Sequence, residues 1–483
     1  MSAPELQGIS LLRYLWRQLT SMRTALILLL LLGLASIPGS LFPQRTQSPL
    51  KVREYFDGDP TGAKWMDRFY LFDVYGSPWF SAIYILLFIS LIGCVVPRSW
   101  HYFREIFKAP APAPSSLRAM EGFHEVEGQL DAAQRWLKSH RFRIVRDGKS
   151  IAAEKGYLRE TGNLVFHLSL IVVLLGIAGS SVFGMRGEAI INVGERFINT
   201  PTSYDNLTPG RFFSIGNLPP FTIKADNFDA TYNPETNAPE DYVLNVTTQE
   251  GVDGESVKKV VRVNEPLTFG STRVYLQANG YSPLVTVKDK SGEVKFEGPV
   301  PFLPQDSNLT SIGAIKVPDM EPQVGFVGSF LPTAARDKVR GGFSSFPELL
   351  DPRLLVSVWT GDLKMDTGVP QSVYRIDTED MERIGLWALR IGETYQFEVG
   401  SITFNGVIPW VNLQVVRDPG KQYALFGSIL AIIGLMASLF IRQRRIWVRE
   451  VNGKLEIAGL ALNRLPGLDE EIKRLATEMK EAT

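Results

Sequence analysis

The chain has 483 residues, of which 45% are hydrophobic, and its mean hydropathy is close to zero. These values exclude an ordinary soluble enzyme and a bundle made only of membrane spans; a few membrane helices carrying a large water-soluble portion fit best. The 51 basic residues balance 51 acidic ones, so no overall positive field indicates nucleic-acid binding. The one cysteine, Cys94, excludes an internal disulfide and a Cys-x-x-Cys pair.

The N-terminal segment is predicted to lie on the membrane and then cross it. Residues 1–23 place leucine and tryptophan side chains on one helical face, as in an amphipathic interfacial helix. A first span over residues 24–38 follows and is expected to end at Pro38. Small residues after this apolar run also fit a cleaved signal peptide, although the segment before it is long for one.

Aromatic residues dominate the next segment. Residues 39–78 are predicted to form an extracytoplasmic loop whose rings make an interfacial belt, with docking of a partner or a planar ligand as the alternative. A second span over residues 79–96 follows and is expected to stop at Pro97.

Two segments are predicted to share one cytoplasmic module. Residues 97–162 form an insert that contains a Pro-Ala linker, an extended segment, a helix and two short strands. So short a segment cannot bury much of a core alone. Residues 442–483 add a hairpin that turns at Asn452-Gly453, and a final helix. We expect this tail to pack on the insert as a small α+β module.

The third span, residues 163–183, contains a histidine and no Asp, Glu, Lys or Arg. A titratable imidazole at this depth needs a partner, because hydrocarbon offers none. Asn163 lies one turn before His167 and is expected to hold one ring nitrogen, which fixes the nitrogen that stays available as a ligand. A single imidazole suits an axial bond to haem iron. A histidine hydrogen-bonded inside a helix bundle is the competing interpretation.

Residues 184–420 are predicted to form an extracytoplasmic all-β domain, either a sandwich or a distorted barrel. Short runs of alternating apolar and polar residues are separated there by Gly, Pro, Asn and Asp. The region has no histidine and no cysteine, which excludes Ser-His and Cys-His catalysis within it. Acidic residues around Tyr232 fit solvated loops, with a metal site or a basic partner as alternatives. Recognition or scaffolding is favoured over chemistry.

The last span, residues 421–441, carries small residues at helical spacing, which permit close approach of another helix. Basic residues precede the first and third spans and follow the second and last ones. By the positive-inside rule both termini are then cytoplasmic. The fold class is a membrane protein with four transmembrane α-helices, a large extracytoplasmic all-β domain and a small cytoplasmic α+β module.

An ordered set of segments carries a family resemblance: Leu19–Ala25, Ala35–Pro43, Asp73–Phe80, Gly162–Ser169, Phe228–Tyr232, Val263–Leu267 with Tyr275–Gln277, and Trp447–Leu460. Together they resemble the ResB (CcsB) family, membrane components of the System II pathway that assembles c-type cytochromes. The resemblance covers nearly the whole chain. It implies a ResC (CcsA)-type partner with a tryptophan-rich haem-handling loop, and the pair would export haem and present it to apocytochrome c.

The resemblance also assigns roles. His167 matches the family's membrane histidine and would be an axial ligand to haem b, held transiently and shared with the partner, with Asn163 supporting the ring. A thioredoxin-like reductant would keep the apocytochrome thiols reduced. The chain would be a non-catalytic subunit of a cytochrome c synthase in the cytoplasmic membrane, surrounded by lipids. A membrane scaffold that binds no haem and stabilises a haem-handling partner or another client is the alternative.

Overall fold

The computed structural model describes residues 8–45, 48–106, 108–120, 122–337, 341–365, 373–461 and 467–481. The chain divides into two compact units, the first made of Met1–Ile177 with Lys421–Thr483 and the second of Ala178–Gly420. The helices are α1 Gly8–Leu19, α2 Met22–Leu41, α3 Pro49–Gly58, α4 Pro60–Arg68, α5 Pro78–Ile106, α6 Leu130–Ser139, α7 Leu158–Phe183, α8 Lys421–Phe440 and α9 Leu468–Glu481.

The strands of the first half of the chain are β1 His124–Glu127, β2 Arg143–Asp147, β3 Ser150–Lys155, β4 Met185–Asn192, β5 Arg196–Ile198, β6 Asn206–Pro209, β7 Phe221–Tyr232 and β8 Pro239–Glu250. Those that follow are β9 Ser256–Arg262, β10 Leu267–Phe269, β11 Thr272–Asp289, β12 Val294–Pro299, β13 Leu303–Pro304, β14 Ser311–Val317, β15 Val324–Leu331, β16 Ala334–Asp337 and β17 Gly341–Ser344. The last are β18 Arg353–Thr360, β19 Glu382–Leu389, β20 Thr394–Phe397, β21 Gly400–Arg417, β22 Arg444–Val451 and β23 Lys454–Ala461.

Among the described residues, four helices are long and apolar enough to cross a membrane: α2, α5, α7 and α8. They are the four spans that the sequence predicts, in the same order. Two of the predicted ends are wrong, because α2 runs through Pro38 and α5 runs through Pro97. Proline removes one donor without ending the hydrogen-bond ladder. The Phe42 amide, for example, donates to the Pro38 carbonyl at 2.9 Å.

Other predicted bounds also differ from those in the structure. α1 begins and ends inside the predicted segment 1–23, and residues 1–7 of that segment lie outside the described residues. α7 starts at Leu158, before the predicted residue 163, because the polar turn of Arg159 and Glu160 continues the same helix. The α5 and α7 extensions therefore shorten the insert predicted for residues 97–162. α8 ends one residue before the predicted residue 441.

The elbow between α1 and α2, residues 20–21 with the helix ends beside them, contacts α5. Ser90 Oγ donates to the Leu19 carbonyl and Cys94 Sγ to the Thr20 carbonyl, each at 2.6 Å. Gly93 lies between these two residues, and a Cβ there would meet Thr20 Cγ2 at 2.1 Å. The one cysteine is therefore a packing residue at this elbow.

The predicted aromatic loop, residues 39–78, is not an irregular loop, because it contains α3 and α4. A small core of Val52, Ala63 and Phe72 joins the two helices. Buried Gln44 accepts from the Val74 amide at 2.9 Å. Phe72 thus belongs to a core, whereas rings such as Trp65 are exposed and remain compatible with a membrane-interface belt.

Insert and tail contribute strands to one sheet in the order β1-β23-β22-β3-β2. β22 pairs with β3 from Arg444↔Lys155 to Arg449↔Ser150, so strands from distant parts of the chain are neighbours. α6 and α9 pack on this sheet and share one core with it, which includes Leu137, Ile151, Val448 and Leu475.

The second unit is built from antiparallel sheets. A seven-stranded sheet has the order β10-β11-β21-β4-β6, with β12 on β11 and β20 on β21. A four-stranded sheet has the order β5-β7-β8-β9, and a five-stranded sheet the order β13-β14-β15-β18-β19. β16 and β17 form a separate pair. The region is β-rich, as the sequence predicts.

Two long strands, β11 and β21, contribute side chains to two hydrophobic cores. Their pairing runs from Thr272↔Arg417 to Asp289↔Gly400. One half, including Val274 and Val415, packs with the four-stranded sheet, and the other half packs with the five-stranded sheet. The second unit thus has two β-sandwich cores, and the antiparallel pair of β11 and β21 runs through both.

Candidate functional site

His167 lies on α7 with its side chain half-buried. Neighbours at helical spacing on its side of α7 are Leu164, Leu170 and Ile171, together with Asn163, so the surroundings contributed by the helix are mainly apolar. The ring of Phe166 meets the imidazole edge-on, with ring centroids 5.1 Å apart and planes at 84°. An imidazole is therefore presented from an apolar helix face in a restrained orientation.

One ring nitrogen is fixed by the backbone. His167 Nδ1 lies 2.8 Å from the carbonyl oxygen of Asn163. A carbonyl oxygen only accepts, so Nδ1 carries the proton and, in the neutral ring, Nε2 keeps a free lone pair. Among the described residues Nε2 has no hydrogen-bond partner. The contact is made by the main-chain oxygen of Asn163 and not by its side-chain amide, and the role of Asn163 beside a ligand-binding His167 stays a prediction.

α8 packs against another face of α7. A Cβ on Gly434 would meet the Phe166 nitrogen at 2.6 Å, and one on Gly427 would meet the Ser169 carbonyl at 3.0 Å. From the α7 side, a Cβ on Gly162 would meet the Ser438 nitrogen at 2.6 Å. The small residues that the sequence places on one face of the last span therefore bring two helix backbones into contact.

The histidine points away from this helix pair. At about 100° per residue, His167 lies about 130° from the centre of the α7 face that contacts α8. That face is formed by Gly162, Phe166, Ser169 and Val173. The imidazole therefore does not lie in the contact between α7 and α8.

The other histidines provide a comparison. His140, the residue directly after α6, has Nδ1 2.9 Å from the Trp136 carbonyl, the same one-turn bond outside the membrane-length helices. Its ring stacks on Trp136 with centroids 3.7 Å apart. His124 Nε2 lies 3.9 Å from Asp469. The backbone bond of His167 and its free Nε2 are both shared with His140, so the feature that distinguishes His167 is its location on a membrane-length helix.

The acidic residues of the second unit have local partners. Asp226 accepts from Thr247 Oγ1 at 2.6 Å, and Glu240 accepts from Asn233 at 3.1 Å. No group of three or more His, Cys, Asp or Glu side chains suited to a metal occurs within the described ranges. Asp226 lies on β7 and Glu240 on β8, so both are exposed strand residues, and the predicted loop location is wrong for them.

One feature escaped sequence reasoning. The hydroxyls of Ser99 and Thr161 are buried and have no hydrogen-bond partner, and both line one cavity between α5 and α7. Both residues lie in polar segments just outside apolar runs, so the sequence does not reveal that their hydroxyls share a cavity.

Comparison with known proteins covers both units. A model of the ResB-like family matches residues 22–473. Cytochrome c biogenesis protein Ccs1 of Pyropia yezoensis is 22% identical, with 96% of this chain and 95% of the relative aligned. CcsB of Synechococcus elongatus is 24% identical, over 96% of this chain and 92% of the relative. CcsB of Synechococcus sp. (strain CC9311) is 26% identical, over 98% and 99%.

Proposed function

The chain belongs to the ResB-like family, and on that premise we propose that it is a membrane subunit of the System II machinery that assembles c-type cytochromes. The relatives named Ccs1 and CcsB, similar along nearly their whole length, support a role in cytochrome c biogenesis. The four membrane-length helices and the large β-rich unit fit a protein that works at a membrane and recognises a partner beside it.

We propose that His167 is an axial ligand to haem b on its way across the membrane. The observation that carries this proposal is the free Nε2 on an apolar helix face that α8 leaves open. Bound haem supplies the vinyl groups to which apocytochrome thiols add, and this chain supplies one imidazole and its orientation. A second ligand and the rest of the haem pocket would come from a ResC (CcsA)-type partner.

We propose that the second unit lies outside the cytoplasmic membrane and holds apocytochrome c or partner subunits near the attachment site. Basic residues at one set of span ends support this topology, with both termini and the insert–tail sheet in the cytoplasm. Thioether formation from reduced thiols needs positioning more than catalytic side chains. A thioredoxin-like protein would supply the reduced thiols, and this chain would be a non-catalytic subunit.

A scaffold without haem is the second candidate, and the geometry of His140 favours it. That residue makes the same one-turn backbone bond as His167 with no membrane site nearby. His167 could therefore be satisfied without any ligand. The chain would then only stabilise a haem-handling partner or another client.

Complementation of a deletion strain separates these proposals. We expect the deletion to abolish c-type cytochromes on haem-stained gels and wild-type protein to restore them. His167→Ala should fail to restore them because the axial nitrogen is gone, whereas the matched variant His140→Ala should succeed. If His167→Ala restores c-type cytochromes at normal protein level, the haem-ligand proposal is wrong and only the scaffold proposal remains. Normal c-type cytochromes in the deletion strain would overturn the assembly role itself.

A further inference from the structure

A cavity separates α5 and α7 at one end of these spans. Tyr84 Oη lies 3.5 Å from the Leu174 carbonyl, so the two helices meet further along. Towards the C-terminal end of α5 and the N-terminal end of α7 they leave an open cavity of about 620 Å³ between them. Its wall is mainly apolar and includes Val96, Trp100, Phe103, Leu164, Val165 and Leu168. This volume lies within the range of small-molecule sites.

The cavity is not the His167 site. The α7 residues that line it are centred about 110° from His167 around the helix. They also lie away from the α8 contact face, so α7 presents three separate faces. Leu164 lies at the edge of both surfaces, which are otherwise formed by different residues of α7.

Two polar atoms inside the cavity have no partner. Ser99 Oγ on α5 and Thr161 Oγ1 on α7 are buried without a hydrogen bond in the described part of the chain. A helical hydroxyl usually donates to a carbonyl one turn earlier, and neither does so here. Leaving such a group unpaired in an apolar site is unfavourable. An occupant with acceptor oxygens at this depth would remove that cost.

A positively charged side chain lies next to the cavity. The Arg104 guanidinium lies 5.1 Å from the centroid of the Trp100 ring, which forms part of the wall. Arg98 and Arg159 are further basic residues at this end of the two helices. Glu160 lies about 100° around α7 from Thr161, towards the His167 side. The charge next to the cavity therefore suits a phosphate.

We propose that the α5–α7 cavity binds one anionic phospholipid. An acyl chain fills the apolar part, ester carbonyl oxygens accept from Ser99 Oγ and Thr161 Oγ1, and the phosphate lies beside Arg104. A lipid matches the order of these groups, because hydrocarbon, ester and phosphate follow each other towards the membrane surface. A transmembrane helix of another protein would also fill the apolar part, but it brings no phosphate to Arg104.

Native mass spectrometry of the full-length protein, released from nanodiscs of phosphatidylglycerol or phosphatidylcholine, tests this site. The wild type should keep one phosphatidylglycerol per chain and little phosphatidylcholine. Val165→Trp, which fills the cavity, should lower phosphatidylglycerol occupancy about tenfold, a change of about 1.4 kcal/mol. The control Leu175→Trp places the same ring on an exposed position of the same helix and should keep the lipid.

The near-isosteric double variant Ser99→Ala with Thr161→Val protects the test against misfolding of the tryptophan variant. It should keep the wild-type melting temperature and lose most of the bound lipid. Equal occupancy in wild type and both cavity variants would overturn the site. Equal retention of the two lipids would overturn the anionic preference, and displacement of the lipid by a co-purified membrane partner would assign the cavity to a protein helix. The readout is lipid occupancy, so it stands whether or not the role in cytochrome assembly holds.

Discussion

The functional proposal depends on one imidazole whose tautomer is set by its own helix. A main-chain carbonyl one turn earlier fixes Nδ1–H, and this leaves Nε2 as the ligand atom. The identity of residue 163 is then secondary, because every residue at that position supplies the same carbonyl. The sequence indicates that residues 163 and 167 are neighbours on the helix. It does not indicate which oxygen of Asn163 contacts the ring, since its side-chain and main-chain oxygens lie on the same turn.

Asn163→Ala tests this distinction. The main-chain bond survives the change, so we expect c-type cytochrome levels and the haem spectrum to stay within about twofold of wild type, a difference of about 0.4 kcal/mol. A loss as deep as that of His167→Ala, at equal protein level, would show that the amide side chain takes part.

Which helix face around His167 is covered could not be predicted from the sequence. A histidine in a span is visible in the sequence, but its exposure depends on which face α8 covers. That face is set by glycines on a helix more than 250 residues later, Gly427 and Gly434. The sequence predicts a small-residue face on the last span without naming the helix it contacts.

At the scale of elements, the four membrane-length helices were predicted well and their ends poorly, while α3 and α4 were missed. Pro38 and Pro97 are usual stop signals in water, where a freed carbonyl finds a new partner easily. In a membrane a broken helix leaves several unpaired groups, so continuing past the proline costs less. Gly39 also allows the Tyr75 ring to lie against α2, where a Cβ would meet that ring at 2.8 Å.

The α7–α8 contact gives a prediction at this scale. Gly434→Ala places a methyl group about 2.6 Å from a backbone nitrogen that cannot move independently. The two helices must separate, and we expect the protein in detergent to lose about 1–3 kcal/mol of stability, as for other overpacked sites. Thermal unfolding followed by tryptophan fluorescence measures the loss.

Gly33→Ala is the matched control, because a Cβ there has no neighbour within 4 Å. It should be neutral or slightly stabilising, since alanine favours a helix more than glycine does. Equal melting temperatures for the two variants would contradict the close contact of α7 and α8.

Long strands were harder to predict than helices. The sequence of β11 suggests two short strands, because Asn279, Gly280 and Pro283 between them resemble a turn. In the structure Gly280 leaves room for the Trp410 ring, and a register shift occurs between Leu276 and Ala278. Glycine and a bulge thus bend a strand that continues, which local sequence patterns cannot distinguish from a turn.

At the scale of the whole molecule, one sheet ties the middle of the first unit to the end of the chain. Glu154 on β3 has a side chain only 5% exposed. It accepts hydrogen bonds from Gln443 at 2.9 Å, from Arg445 at 3.0 Å and from Arg143 at 2.9 Å. Insert and tail therefore share a buried carboxylate as well as a core.

This carboxylate makes the sheet sensitive to acid. Burial raises the pKa of Glu154, but the hydrogen bonds from Gln443, Arg445 and Arg143 outweigh it and hold the pKa below its usual value. A lowered carboxyl pKa stabilises the folded state above the unfolded pKa of about 4.3, and this contribution disappears as the pH falls through the folded value.

Hydrogen exchange of the full-length protein across pH 7 to 4 measures this effect. Protection of β22 and β23 should fall at the acid end in the wild type, after correction for intrinsic rates. Glu154→Gln should cost about 3 kcal/mol at pH 7, the order for one partner of a buried pair, and should flatten the pH dependence. Glu450→Gln removes a half-exposed pair with Lys149 and should cost under about 1 kcal/mol. An unchanged pH profile in Glu154→Gln would contradict the account.

The central claim is that this chain offers iron one nitrogen, His167 Nε2, and the most direct measurement is the visible spectrum of the protein purified with its ResC-like partner. We predict that His167→Gly loses the haem bands of the wild-type complex and regains them when imidazole is added, while His140→Gly keeps them throughout. Haem bands that are identical in wild type and His167→Gly without imidazole would contradict the claim.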